Sequence, residues 1–283
     1  MPLLEKIELQ NGTEKGGNTV IKLVVTDMDG TLLHDHATSV NPEYFSVIRE
    51  LKERGIQFCV ASGRQYNSLQ KLFAPVKDDL IYITENGTEI IYKDRKLFSM
   101  PMSMNVSRQL VLDTRAIPGA ESMYCVGDMA FFEKGDENVY TLMKEEYRFK
   151  CTMVDDLLKL DQPCLKFSLY LKENVDEITA QYFTPKWKKS HEVACGGKYF
   201  MDVMERGANK GTALRKVQEL LGIRKEETAA FGDNHNDLEM LEEASFSYAV
   251  ANARDQVKKA ARFQVKSNNE DGELWKLREL LEE

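Results

Sequence analysis

The sequence predicts an α/β fold in which a doubly wound parallel sheet, with helices on both faces, is interrupted by an inserted α+β domain. Three observations carry that expectation. Apolar strand-like runs alternate with helical stripes at both ends of the chain. The alternation lapses between about Ser99 and Cys195, where the segments become irregular. The chain has 283 residues, more than the roughly 100 to 200 that one domain usually takes.

Ile21 to Thr26 is a nearly continuous apolar run, as expected of a strand covered on both faces. Asn41 and Pro42 then supply a cap and a first-turn proline for a helix whose stripe is Tyr44, Phe45, Val47, Ile48 and Leu51, closed by Gly55. Ile56 to Ala61 is a second strand, Tyr66 to Phe73 a short helix stopped near Pro75, and Leu80 to Thr84 a third strand. From Thr88 to Pro101 the chain reads as a hairpin. Within the irregular stretch, strands are expected at Ser122–Val126, Ala130–Glu133 and Leu165–Leu171, with helices at Val106–Ala116 and Val175–Phe183. Alternation resumes with a strand at Tyr199–Met204, a helix from Lys210 to Leu221 closed by Gly222, a strand at Thr228–Phe231 and a helix at Asp237–Glu243. Phe246–Val250 and Phe263–Val265 read as edge strands separated by a helix near Asp255–Ala261. The expected organisation is a flexible leader over 1–20, a Rossmann-like core from 21–98 and 195–283, and an inserted α+β cap over 99–194.

Composition excludes several classes of function. No segment approaches the roughly 18 consecutive apolar residues of a membrane span, and the N-terminus lacks the pattern of a secretory signal. The five cysteines are scattered, odd in number and contain no C-x-x-C pair, which speaks against a disulfide framework or a zinc site and for a reducing cytoplasm. A net charge of −8 disfavours nucleic acid as a partner. The local exception, Lys186-Trp187-Lys188-Lys189, reads as a solvated basic face.

In open parallel sheets ligands sit beyond the carboxyl ends of the strands. Asp27 and Asp29 follow the first strand, Ser62-Gly63-Arg64 the second and Glu85-Asn86-Gly87 the third. Asn209-Lys210-Gly211-Thr212 precedes a later helix, and Gly232-Asp233-Asn234-His235-Asn236-Asp237 follows a later strand. Four acids on one crest repel one another unless a cation lies among them. Mg²⁺ fits, because it accepts one or two carboxylates, keeps several waters and bridges a phosphate. The Ser62 hydroxyl, the backbone N–H groups near Gly30 and Gly63, and the Lys210 ammonium are the matching phosphate ligands. Acids, a hard cation, a lysine and a serine together describe phosphoryl transfer.

The segments VVTDMDGTLL, SGR, RGANKGTAL and GDNHNDLEML resemble, in order, the four motifs of the haloacid dehalogenase-like superfamily, and specifically its Cof-like phosphatases with the larger, class IIB cap. The likeness covers about residues 21–272, including Glu85-Asn86-Gly87, Val250-Ala251-Asn252-Ala253 and Asn269-Glu270-Asp271-Gly272. It implies that Asp27 is the nucleophile, forming an aspartyl-phosphate, and that Asp29 protonates the leaving oxygen and then takes a proton from water. It implies Mg²⁺ held by Asp27, by the Asp29 carbonyl, by Asp233, and by Asp237 directly or through water. It also implies a phosphoryl group held by Ser62, Gly63, Lys210, Asn236 and the Met28 backbone. Serine stands at position 62 where threonine is more frequent, which keeps the hydroxyl.

The expected activity is Mg²⁺-dependent hydrolysis of a small phosphorylated metabolite such as a sugar phosphate, a nucleotide or a phosphorylated cofactor. A phosphomutase or phosphotransferase would use the same aspartyl-phosphate chemistry. A non-catalytic phosphate-binding switch would need neither Asp29 nor an inserted domain. A P-loop kinase is set aside because the order G-x-x-x-x-G-K-[ST] is absent. Candidates for reading the substrate are the cap residues Lys166 and His191, with Tyr124, Asp128, Phe132 and Cys195 behind them. His34-Asp35-His36 reads as a solvated loop rather than a second metal site.

Overall fold

The computed structural model describes residues 21–196 and 198–282; the expected leader lies outside them. In chain order its elements are β1 (Leu23–Asp27), α1 (Glu43–Glu53), β2 (Gln57–Ala61), α2 (Tyr66–Leu72), β3 (Leu80–Thr84), β4 (Glu89–Tyr92), β5 (Arg95–Ser99) and α3 (Met104–Arg115). There follow β6 (Glu121–Val126), β7 (Met129–Glu133), α4 (Glu137–Glu145), β8 (Cys151–Val154), β9 (Lys166–Tyr170), α5 (Val175–Ile178), α6 (Thr184–Trp187), β10 (His191–Gly196) and β11 (Phe200–Glu205). The chain closes with α7 (Lys210–Leu221), β12 (Thr228–Gly232), α8 (Leu238–Glu242), β13 (Phe246–Val250), α9 (Asp255–Ala260), β14 (Phe263–Val265) and α10 (Gly272–Glu282). No helix among the described residues is long and apolar enough to cross a membrane.

The chain divides into two compact units. The first gathers residues 21–62, 70–97 and 209–282, and the second Gly63–Leu69 and Phe98–Ala208. In the first, eight strands run in the order β14-β13-β12-β1-β2-β3-β4-β5. Every pairing from β14 to β3 is parallel, and β4 turns back antiparallel on β3. β1, β3 and β12 expose no residue, which is why their sequences are mostly apolar, with polar residues at their ends, rather than alternating. β13, expected at an edge, lies between β12 and β14 and is buried along most of its length; the edge is β14.

In the second unit six strands run β10-β11-β9-β6-β7-β8, antiparallel apart from the β7–β8 pair. Two apolar clusters form around it. Phe167, Leu169, Met201 and Val203 pack with Leu110 and Val111 of α3 and with Phe183 and Trp187. Met123, Cys125, Ala130 and Phe132 pack with Val139 and Met143 of α4. α5 and α6 are joined by a π turn, Thr179–Phe183, so the expected helix at Val175–Phe183 contains a wider turn and continues past it.

The structure also corrects the expected division of the chain: Gly63–Leu69, expected in the core, belongs to the second unit. The strand at Tyr199–Met204, expected to reopen the first unit, is β11 of the six-stranded sheet, and it pairs residue for residue with β10, from His191 opposite Glu205 to Gly196 opposite Phe200. The return to the first unit therefore comes at Asn209 rather than at 195. Apolar character shows that a strand is buried but not which sheet receives it. α4, β8, β10 and α10 had no expected counterpart; the first three carry short or mixed patterns, and α10 follows a polar turn that reads as the end of the fold.

Candidate active site

β1 and β12 are adjacent and parallel, with Thr26 opposite Phe231. The residues that follow both strands therefore emerge on one crest, which places Asp27 and Asp233 together. The chain can turn there because Gly30 has φ +87° and no side chain; a Cβ on it would lie 2.7 Å from Asp233 Oδ2. The Thr31 hydroxyl donates to Asp233 Oδ1 at 2.9 Å, and the Asn252 amide donates to the Gly30 carbonyl at 2.7 Å. Asp237 is aimed by its own turn, with Oδ2 accepting the N–H groups of Asp233 (2.9 Å) and Asn234 (3.0 Å). Lys210 opens α7 behind a cap in which Asn209 Oδ1 accepts the Thr212 N–H at 2.7 Å.

These placements bring three carboxylates and one ammonium into contact. Lys210 Nζ donates to Asp237 Oδ1 at 2.6 Å and to Asp27 Oδ1. Single carboxylate oxygens of Asp27, Asp233 and Asp237 lie within 4.8 Å of one another. Burial raises the Asp27 carboxyl well above the ordinary range, and Asp237 repulsion adds to this against the opposing pull of Lys210. Burial, then Asp237, pushes Asp233 up to about 6. Burial alone would lower the Lys210 ammonium, but Asp237 and Asp27 outweigh it, and Lys210 stays charged. Three acids face one base in a space almost closed to water. An oxygen-binding divalent cation would relieve that repulsion, and the all-oxygen donor set suits a hard one.

The remaining expected residues fall into two groups. In the first unit, Asp29 is exposed just beyond β1, bridged to Leu33, and the Met28 carbonyl accepts the Leu33 N–H at 2.9 Å. Ser62 is buried after β2, where its N–H donates to Ile83 and its carbonyl accepts from Asn86. Asn236 is exposed and donates to Asn86 Oδ1 at 3.2 Å. Glu85 and Asn86 both take left-handed backbone, with φ 48° and 57°. In the second unit, the Gly63 carbonyl accepts from the buried Lys166 Nζ at 2.7 Å.

Three cap candidates are buried against their neighbours. His191 lies edge-on to Trp187 with ring centroids 5.4 Å apart and bonds to the Ser190 hydroxyl, while Phe132 is core and the Tyr124 hydroxyl donates to the Gln162 carbonyl. Asp128 accepts from the Asn67 N–H and Lys150, and Cys195 is exposed. The loop His34-Asp35-His36 is tied rather than merely solvated. His34 pairs with Asp271 at 2.8 Å, and Asp35 accepts from the Asn268 and Asn269 amides. Sequence reasoning passed over Glu273, a fully buried acid on α10 whose only signal is a charge beside the apolar stripe Leu274, Leu277 and Leu281.

A parallel α/β sheet with an acid cluster and a buried lysine at its carboxyl crest defines a class of enzymes that handle anionic substrates beyond the strand ends. Within that class, the model of the haloacid dehalogenase-like hydrolases matches residues 24–277, and the chain belongs to that family. It is 31% identical over 262 residues to a 5-amino-6-(5-phospho-D-ribitylamino)uracil phosphatase of Escherichia coli, covering 90% of this chain and 94% of that one. A Bacillus subtilis protein of the same name is 28% identical over 253 residues, covering 89% and 92%. A crystal structure from Eubacterium rectale superposes with a TM-score of 0.85 at 37% identity, covering 92% of this chain and 98% of that one.

Proposed function

We propose that the protein is a cytoplasmic, Mg²⁺-dependent phosphatase that hydrolyses a small phosphorylated metabolite through an aspartyl-phosphate on Asp27. The observation that carries this reading is the contact of Lys210 with both Asp27 and Asp237 beside Asp233, an arrangement short of positive charge that a divalent cation would supply, leaving Lys210 and the cation to face an anionic phosphoryl group. Asp27, Asp233, Asp237 and the Asp29 carbonyl would hold Mg²⁺, which when bound supplies Lewis-acid neutralisation of the phosphoryl oxygens.

The chain's own groups divide the reaction. An Asp27 oxygen attacks phosphorus as the bond to the leaving oxygen breaks, and the Asp29 carboxyl gives that oxygen its proton. Asp29, now a carboxylate, takes a proton from a water whose oxygen attacks the same phosphorus and releases Asp27. Lys210, Ser62, Asn236 and the backbone at Met28 and Gly63 would hold the phosphoryl oxygens, with Lys210 carrying most of the charge stabilisation. Two relatives are named for a phosphorylated ribityl compound, which makes phosphorylated polyols the first class to assay.

The test separates the roles of the two acids. With an aryl phosphate, whose leaving group needs no proton, Asp29→Asn should still load Asp27 but fail to unload it, and mass spectrometry should find a phosphorylated protein. Free turnover by Asp29→Asn with no trapped phosphate removes Asp29 from the mechanism. Transfer of the trapped group to an added sugar phosphate faster than to water would replace the phosphatase reading with a mutase.

A further inference from the structure

Glu273 lies in the first turn of α10 and is fully buried. That turn is held closely against its neighbours, because a Cβ at Gly272 would overlap the backbone of Lys266. Glu273 Oε2 lies 2.7 Å from the Thr26 hydroxyl, and the same hydroxyl lies 2.8 Å from the main-chain carbonyl of Asp27. Among the described residues Glu273 Oε1 has no hydrogen-bond partner.

Counting protons decides what this arrangement is. A threonine hydroxyl carries one hydrogen and two lone pairs. If that hydrogen goes to the Asp27 carbonyl, Glu273 can approach Thr26 only by donating, which requires a proton on the carboxyl. If it goes instead to an ionised Glu273, the charge sits in a site closed to water with one hydrogen bond and one bare oxygen, the costliest state for a buried carboxylate. Among the described residues no cation acts on it; burial pushes the carboxyl up to about 8, and the Thr26 hydrogen bond opposes that rise. The buried phenol of Tyr44 on α1 feels both Glu273 and the acid Asp271 at the head of α10's own turn, and neither Tyr44 nor Asp271 supplies a positive charge.

We propose that Glu273 is a positioning residue: as a neutral carboxylic acid it donates to Thr26, Thr26 donates to the Asp27 carbonyl, and this relay fixes the end of β1 from which the attacking carboxylate projects. The proposal rests on the reading of Asp27 as the nucleophile. Its chemistry also dictates a pH response. Ionisation of Glu273 reverses the polarity of the first link, so the relay fails as pH rises through its folded value.

Glu273→Gln keeps a donor with no proton to lose, and Glu273→Leu keeps bulk without a donor. The Gln variant should hold kcat within about threefold of wild type at pH 7, whereas the Leu variant should lose at least about tenfold in kcat with KM nearly unchanged. The wild type should lose kcat as pH passes about 8, and the Gln variant should not. If the Leu variant does not fold, Thr26→Val cuts the relay from its other end with the same expected loss, and Thr26→Ser retains it. Wild-type kcat in the Leu or Val variant, or an equal loss in the Gln and Leu variants, overturns the proposal.

Two readouts do not depend on activity, so a failure of the phosphatase reading would show separately as no turnover by the wild type. Infrared difference spectra at pH 7 should contain a protonated-carboxyl band that Glu273→Gln removes. Thermal unfolding should favour the Gln variant increasingly from about pH 4.5 to 8, because over that range the unfolded wild-type chain releases a proton that the folded chain keeps. Absence of the band, or parallel unfolding curves, sinks the relay.

Discussion

The two units bury charge in opposite ways. In the second, several charged and polar groups are matched in pairs, although burial still pushes Asp136 up to about 6. Ser168 donates to Asp202 at 2.6 Å, Asp113 accepts from both Lys186 and Trp187, Arg115 bridges Glu133 and Asp156, and the buried Lys166 reaches a neutral carbonyl. In the first, one lysine faces three acids, and the carboxyls of Asp27 and Asp233 are raised by burial and by their neighbour Asp237. A matched network needs nothing further from its surroundings. An unmatched one stores electrostatic cost that a bound cation can relieve, which makes a cluster of shifted groups at strand ends a candidate working site.

Breaking the unmatched cluster should have the largest effects. Asp27→Asn should lower kcat for an aryl phosphate by at least about 10⁴-fold, in line with the loss of other nucleophiles. The same variant should melt higher than wild type without metal, since one of three repelling acids is gone; a lower melting temperature would mean that Asp27 supports the fold. Lys210→Met should destabilise by about 3 to 5 kcal/mol in a urea titration, because it leaves Asp27 and Asp237 buried without their cation.

Adding Mg²⁺ at one hundred times its dissociation constant should stabilise the wild type by about 2.7 kcal/mol. Asp233→Asn should lose most of that gain, and equal gains in both proteins would place the cation elsewhere. The matched network should respond least. Arg115→Gln, on a half-exposed bridge, should cost under about 1 kcal/mol, and a larger loss would show that the second unit also depends on its charges.

How legible each unit was in the sequence follows the same division. Leu80–Thr84, Lys210–Leu221 and Phe246–Val250 stand where apolar runs and caps place them, since parallel strands covered on both faces are continuous in the sequence. Asp27, Lys210, Asp233 and Asp237 were named because each sits at the end of such an element, and the structure gathers all four. In the second unit β10 was missed and β11 was assigned to the wrong sheet, and His191, expected to read substrate, lies against Trp187. β11 is buried along its middle without being wholly apolar, β10 is a half-buried edge strand, and a histidine on a tryptophan looks the same in sequence as one facing a ligand.

The sequence alone determined the family, the α/β class and the acids and lysine of the crest, because strand ends, caps and motif spacing are local properties. Only the tertiary structure decided which sheet receives Phe200–Glu205, which acids touch Lys210, and that Glu273 lies against Thr26 on the strand that ends in Asp27. Those contacts join residues up to 247 positions apart, and a protonated buried carboxyl is a property of its enclosure, which no local pattern encodes.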